Sequence, residues 1–221
     1  MGTIIEILGE SGMGKSSGLR NFEEGELGIF NVTGKPLPFR KKLPMVRNAD
    51  YATIERTLEA NNLKCYVVDD AGYLMQFDNF RRAGQKGYDK FVDMAVSFEQ
   101  ILEAAIATDD DTTVYFLMHP DYDANGRMKT KSIGKMLDEK LCIEGLFPIV
   151  LVARHDEDGY WFETQTDGSS PAKSPMGMFE SKRIDNDIRA VDDAVREYWG
   201  LAPRTAKAPA RRRAAKGGGD A

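Results

Sequence analysis

Gly9-Glu10-Ser11-Gly12-Met13-Gly14-Lys15-Ser16 matches the pattern G-x-x-x-x-G-K-[ST] at every fixed position. Thr3-Ile4-Ile5-Glu6-Ile7-Leu8 before it reads as a short buried strand, and Lys15 to about Phe22 as the following helix. The glycines let the backbone curl so that successive N–H groups point inward at phosphate oxygens. The helix N-terminus would add a partial positive charge at the same spot. In this pattern Lys15 reaches the β- and γ-phosphates and the Ser16 hydroxyl ligates Mg²⁺. Gly9 to Ser16, with Ser17 behind them, are therefore read as a nucleotide cradle. The chain has no N-K-x-D base-reading pattern of the kind that marks guanine specificity, so ATP is the expected nucleotide.

The rest of the composition narrows the setting. At 221 residues, 42% of them hydrophobic and 29% charged, the chain suits one α/β domain with a sizeable core. The formal net charge of −5 is unevenly spread. Beyond Pro203 stand Arg204, Lys207, Arg211, Arg212, Arg213 and Lys216 against Asp220 alone. The remaining 24 basic and 34 acidic residues leave a body too acidic to hold nucleic acid over its whole surface, so any such binding must be local. Cys65 and Cys142 lack metal-ligand spacing and read as reduced core thiols of a cytoplasmic protein. No apolar run approaches the length of a membrane span, and the N-terminus enters a strand without a signal peptide.

Along the chain, Gly28 to Val32 reads as a second strand, and the two prolines of residues 33–42 make a basic, semi-rigid loop. Asp50 is placed to cap a helix to about Ala60, stopped by Asn61-Asn62. Cys65-Tyr66-Val67-Val68-Asp69-Asp70 is an apolar strand ending in acids, the expected partner of a phosphate loop. Asp69 would hold Mg²⁺, and Asp70 either activates the attacking water or caps the next turn. Residues 71–88 read as loop. Asp89 to Ala107 reads as an amphipathic helix, and Asp109-Asp110-Asp111 as a solvated turn.

Thr113 to Met118 is a fourth strand, and it ends at His119 beside the phosphate loop, a position suited to sensing the nucleotide. Residues 121–135 form a polar loop with an Asn125-Gly126 turn and the cations Arg127, Lys129, Lys131 and Lys135. A short helix is expected from Ile133 to Cys142. Phe147 to Ala153 is the fifth strand, turning through Asp156-Glu157-Asp158-Gly159 into an edge hairpin. Ala172 to Phe179 is irregular. The last helix spans Asp187 to Trp199, with Ile188, Val191, Val195 and Tyr198 or Trp199 on its apolar face and Gly200 as its stop. Residues 203–221 read as a disordered basic tail, leaving 1–202 as the folded domain.

With these residues in view, the chain resembles the short RecA-like recombination proteins of bacteriophages, the Sak-type single-strand annealing group and the phage ATP-binding proteins around it. The resemblance covers about residues 3–200. It rests on the phosphate loop, on Asn31-Val32 with Gly34-Lys35-Pro36-Leu37-Pro38-Phe39-Arg40, and on Val68-Asp69-Asp70 and Met118-His119. It also rests on Ser132-Ile133-Gly134-Lys135-Met136-Leu137-Asp138 and Ala172-Lys173-Ser174-Pro175-Met176-Gly177-Met178-Phe179.

The resemblance implies a RecA-like P-loop fold, an α/β architecture whose mainly parallel sheet runs 5-1-4-3-2. His119 would then lie between the loop and Asp69. It implies ATP and Mg²⁺ as cofactors, a homo-oligomeric ring or filament, and a Lys173 that reaches a neighbouring subunit's γ-phosphate; alternatively Lys173 only anchors its loop. RecA-like enzymes place a catalytic glutamate just after the second strand, where this chain has Thr33-Gly34-Lys35. Asp70, or Glu10 within the loop, must then supply the base, or hydrolysis is slow.

The functional expectation is an ATPase that acts on single-stranded DNA in annealing or strand exchange, in the cytoplasm of an infected bacterium and beside a single-strand-binding protein. The alternative is a nucleotide-gated replication accessory or helicase loader with little turnover. A small-molecule kinase fits less well, because no Arg-rich lid is apparent.

Overall fold

The computed structural model describes residues 1–133 and 141–204. Its strands, in chain order, are β1 (Thr3–Leu8), β2 (Gly28–Asn31), β3 (Met45–Arg47), β4 (Cys65–Asp69), β5 (Thr113–Met118), β6 (Pro120–Tyr122), β7 (Met128–Thr130), β8 (Ile149–Asp156), β9 (Gly159–Glu163) and β10 (Arg183–Asp185). The α-helices among the described residues are α1 (Tyr51–Ala60), α2 (Gly72–Arg81), α3 (Asp89–Ile106) and α4 (Ile188–Trp199). The architecture is α/β. One eight-stranded sheet runs β10-β9-β8-β1-β5-β4-β2-β3, and β6 pairs with β7 in a separate two-stranded ribbon. From β8 to β3 all neighbours are parallel; β9 and β10 run antiparallel at the other end.

Strand alternation builds two cores. On one face Ile4, Leu8, Val68, Phe116 and Val152 pack against α1, α2 and α3 through residues such as Ile54, Leu74 and Phe98. On the other, Ile5, Ile7, Tyr115 and Leu151 meet Ile188, Val191 and Val195 of α4. Because both faces are covered, the central strands are apolar almost throughout. Glu6 is an exception in mid-strand: it is wholly buried on the same face as Ile4 and Leu8.

The caps fall where the side chains direct them. Asp50 accepts from the Thr53 N–H at 2.9 Å, and Asn61 closes α1 in the left-handed conformation. Asp187 caps α4, and Gly200 (φ 65°) ends it. The apolar face of α4 stops at Val195, since Tyr198 and Trp199 are exposed rather than buried. Buried ionic groups extend the contact instead. Asp192 is fully buried and accepts from Thr113 (2.5 Å), Tyr115 (3.1 Å) and Arg196 (2.7 Å). Arg204 also pairs with Asp192, so the first cation of the expected tail belongs to the folded body. Residues 205–221 lie outside the described residues.

Other expectations are corrected. The helix expected from Lys15 to Phe22 is a single 3-10 turn, Ser16–Leu19. Gly18 packs so closely on Ile188 that an added Cβ would lie 2.9 Å from its Cγ1, and Gly18 and Asn21 both disfavour helix propagation. Residues 71–88 contain α2, hidden in sequence by Asp78, a buried carboxylate on its inner face that pairs with Arg82 at 3.2 Å. The polar segment after His119 is a β-hairpin, not a structureless loop. Cys142 is exposed, whereas Cys65 is buried as expected. The helix expected from Ile133 to Cys142 falls largely on residues 134–140, outside the described residues.

Candidate functional site

Three neighbouring parallel strands deliver the site. β1, β5 and β4 end side by side, so Gly9, His119 and Asp69-Asp70 emerge along one edge of the sheet. This is the edge at which parallel sheets bind ligands. Backbone bonds hold the strand ends together: the Gly9 N–H donates to the Met118 carbonyl at 3.2 Å, and the Ala71 N–H to the Leu117 carbonyl at 3.0 Å.

The loop after β1 turns through Gly12 (φ 88°) and Gly14 (φ 85°), backbone settings that L side chains rarely adopt. It curls around its own lysine. Lys15 is buried, and its Nζ donates to the Gly9 carbonyl at 2.6 Å and the Glu10 carbonyl at 3.0 Å. Burial pushes the ammonium down to about 8, while Asp70 and Asp69 pull it back up. The short 3-10 turn behind it contributes little helix dipole, so Lys15 and the loop amides supply most of the positive potential here.

The Ser16 hydroxyl donates to Asp69 Oδ1 at 2.7 Å. Burial raises the Asp69 carboxyl to about 6, and the Ser16 hydrogen bond works against that rise. Among the described residues no cluster of three or more His, Cys, Asp or Glu side chains forms a metal cage. A hydroxyl beside one carboxylate nevertheless suits Mg²⁺, which keeps most of its water and takes one or two protein oxygens together with phosphate. Ser16 and Asp69 are the residues that would hold it.

Asp70 has φ 62°, a strained setting for a residue with a side chain. Its carboxylate does not cap α2, whose first turn has no side-chain cap. It turns toward β2 instead, accepting from Thr33 Oγ1 at 3.1 Å, with Lys35 Nζ at 3.6 Å. His119 Nδ1 stands 3.9 Å from Asp70 Oδ1, buried and without a hydrogen bond. Burial and then Lys15 depress the His119 imidazole below its usual value, and Asp70 only partly offsets them. His119 is therefore neutral at pH 7. Tyr73 of α2 completes the group, with its ring edge-on to His119 at 5.6 Å and 5.4 Å from Lys35 Nζ.

Lys35 is a site residue that the sequence reading passes over. Its signal is the Thr33-Gly34-Lys35 stretch itself, where a cation replaces an expected acid. The other missed link is Tyr122 of β6, whose hydroxyl donates to Glu10 Oε1 at 2.5 Å. That bond ties the exposed Glu10 to the hairpin rather than turning it into the loop.

The hairpin carries the basic residues in a row. Met128 and Thr130 are buried and alternate with Arg127, Lys129 and Lys131, which share the opposite face. The Lys131 N–H donates to the His119 carbonyl at 3.0 Å, so the row begins where the site ends. Lys135 lies outside the described residues. Lys173 forms a bridge to Val150 of β8, 2.9 Å in each direction, and lines a cavity of about 660 Å³ with Arg127, Lys129 and Glu144.

No protein-family model matches the chain, and no curated protein matches it. Fold and site define it as an α/β protein with a mostly parallel sheet, compatible with a P-loop-like fold. Among the described residues no helix is long and apolar enough to cross a membrane.

Proposed function

We propose that this chain is a Mg²⁺-dependent, RecA-like P-loop ATPase of the phage recombination kind, whose nucleotide state is passed to a hairpin that holds single-stranded DNA. The observation that carries the reading is the convergence of Lys15, the Ser16–Asp69 pair, Asp70 and His119 at the ends of three adjacent parallel strands. The neighbour order β8-β1-β5-β4-β2 supports the RecA-like part, being the 5-1-4-3-2 order expected of that sheet.

In this reading the loop amides and Lys15 hold the β- and γ-phosphates. Bound Mg²⁺ would neutralise charge on those phosphates. Lys35, poised beside Asp70, swings onto the terminal phosphate and frees the Asp70 carboxylate to take a proton from the attacking water. Neutral His119 would donate its ring N–H to an oxygen of the same phosphate, and the Lys131 N–H on its carbonyl would pass the change to the hairpin. Arg127, Lys129 and Lys131 bind DNA phosphates.

One observation favours the second reading, a nucleotide-gated binding module with little turnover. Asp70 is engaged by Thr33 and Lys35, which keeps its carboxylate from the attacking water until Lys35 moves. The experiment for nucleotide binding is titration calorimetry with Mg-ATP on the wild type and on Lys15→Ala. Micromolar binding that the variant loses is expected. Equal affinity in a folded variant would defeat both readings.

A further inference from the structure

The phosphate end of the site accounts for Lys15, Ser16, Asp69, Asp70 and His119. It does not account for what lies on the other flank of the loop. There the hairpin formed by β8 and β9 rises beside Gly14. A Cβ built on Gly14 would lie 2.8 Å from Tyr160 Cδ1 and 3.2 Å from Asn186 Nδ2, so an aromatic ring and an amide both press against the loop. Tyr160 is 49% exposed although its ring is large and apolar. The His155 ring sits 4.3 Å from it, centroid to centroid, making a two-ring surface open to solvent.

Asn186 is only 2% exposed, yet its Nδ2 has no hydrogen-bond partner. Its orientation is set by Arg20, which donates to Asn186 Oδ1 at 3.3 Å and leaves the amide N–H₂ as the unused group. An unsatisfied buried donor is costly unless a ligand completes it. The hairpin is also braced. Asp156 accepts from Trp161 Nε1 at 2.9 Å and from Arg183 at 2.6 Å, so Tyr160 is presented on a fixed support.

We propose that Tyr160 and Asn186 form the nucleoside half of the site, Tyr160 stacking on a purine base and the Asn186 amide donating to a purine ring nitrogen. The inference rests on the nucleotide reading above. A terminal phosphate beside Asp69 and Asp70, on the β4 side of β1, would leave the opposite flank of the loop, toward β8 and β9, for the rest of the nucleotide. Gly14 lies on that flank, where a side chain would block the approach of Tyr160 and Asn186 alike. A purine supplies what both groups lack, a flat face for the ring and acceptor nitrogens for the amide.

Calorimetry with two probes separates this inference from the reading beneath it. Mg-ATP carries the nucleoside; Mg-tripolyphosphate carries only the phosphates. The wild type should bind ATP roughly 5- to 150-fold more tightly, the range of base–aromatic stacking. Tyr160→Ala should bring ATP close to the tripolyphosphate affinity and leave tripolyphosphate binding unchanged, while Tyr160→Phe should keep the excess. Equal binding of both probes by the wild type, or an excess that survives Tyr160→Ala, overturns the nucleoside site while leaving the phosphate loop intact. Binding of neither probe overturns the phosphate-loop reading and this inference with it.

Discussion

The Tyr122 hydroxyl donates to Glu10 Oε1 at 2.5 Å, joining the hairpin that follows β5 to the loop that follows β1. Glu10 belongs to the Gly9–Ser16 loop, and Tyr122 is five residues from Arg127 on the same hairpin. A loop that reshapes around phosphate must move or break this bond. Tyr122→Phe deletes the bond and keeps the ring. ATP affinity should change less than threefold, while the effect of ATP on DNA affinity should fall severalfold. The bond is exposed, so the coupling it carries is about 1 kcal/mol or less. DNA titrations with and without ATP check this; an unchanged ATP effect would remove Tyr122 from the link.

In the proposed ATPase, Asp70 or Glu10 would supply the base. Asp70 stands beside Lys35, Thr33 and His119, whereas Glu10 faces the hairpin. Asp70→Asn should lower turnover by about 10²–10⁴-fold with ATP binding largely kept, the contribution typical of a general base. Glu10→Gln should cost less than threefold. Single-turnover rates decide between them, and a larger loss at Glu10 would reverse the assignment.

Much of this site is legible in the sequence, because a phosphate loop and an acid-ended strand are local patterns. Lys15 and Ser16 could be named from the spacing of the loop pattern, and Asp69 from the acid end of an apolar strand downstream of it. Tyr73 and Tyr122 could not, because only the strand order brings them to the same edge; Lys35 had one signal, a cation standing where an acid is expected. Asp78 hid α2 by placing a carboxylate where the helical period calls for an apolar residue. The basic row of β7 was visible as Arg127-Met128-Lys129-Thr130-Lys131, whose alternation has the period of a strand, although its polarity reads as loop.

Glu6 makes stability depend on pH. It is buried on β1, with Thr130 donating to Oε1 at 2.6 Å and Oε2 unpartnered. Burial raises its carboxyl to about 8; Glu144 raises it too, while Thr130 and Lys173 lower it. Below about pH 4.5 both folded and unfolded forms are protonated and no penalty arises. Between there and pH 8 the unfolded chain releases the proton first, so stability falls as pH rises, and it levels off above pH 8. Glu6→Gln should remove this decline and stabilise the protein at pH 8 by roughly a few kcal/mol. Urea unfolding at pH 5, 6.5 and 8 measures it; parallel pH profiles for variant and parent would contradict the account.

The hairpin row should bind DNA through phosphates. Replacing Arg127 and Lys131 with Ala should weaken single-stranded DNA binding and reduce the salt slope by about 0.7 for each phosphate no longer neutralised. Removing residues 205–221, but not the buried Arg204, should lower affinity without altering its response to ATP. Fluorescence anisotropy across a salt series separates the two effects. A double variant with the parental slope would show that these cations only face water.

The central claim, that nucleotide turnover and DNA binding share one site edge, is tested most directly by the ATP turnover rate with and without single-stranded DNA, with Lys15→Ala as the blank. The account predicts slow turnover by the protein alone, a rise of tenfold or more on adding DNA, loss of that rise in the Arg127/Lys131 double variant, and no turnover in Lys15→Ala. A rate indifferent to DNA, or one that persists in Lys15→Ala, would contradict it.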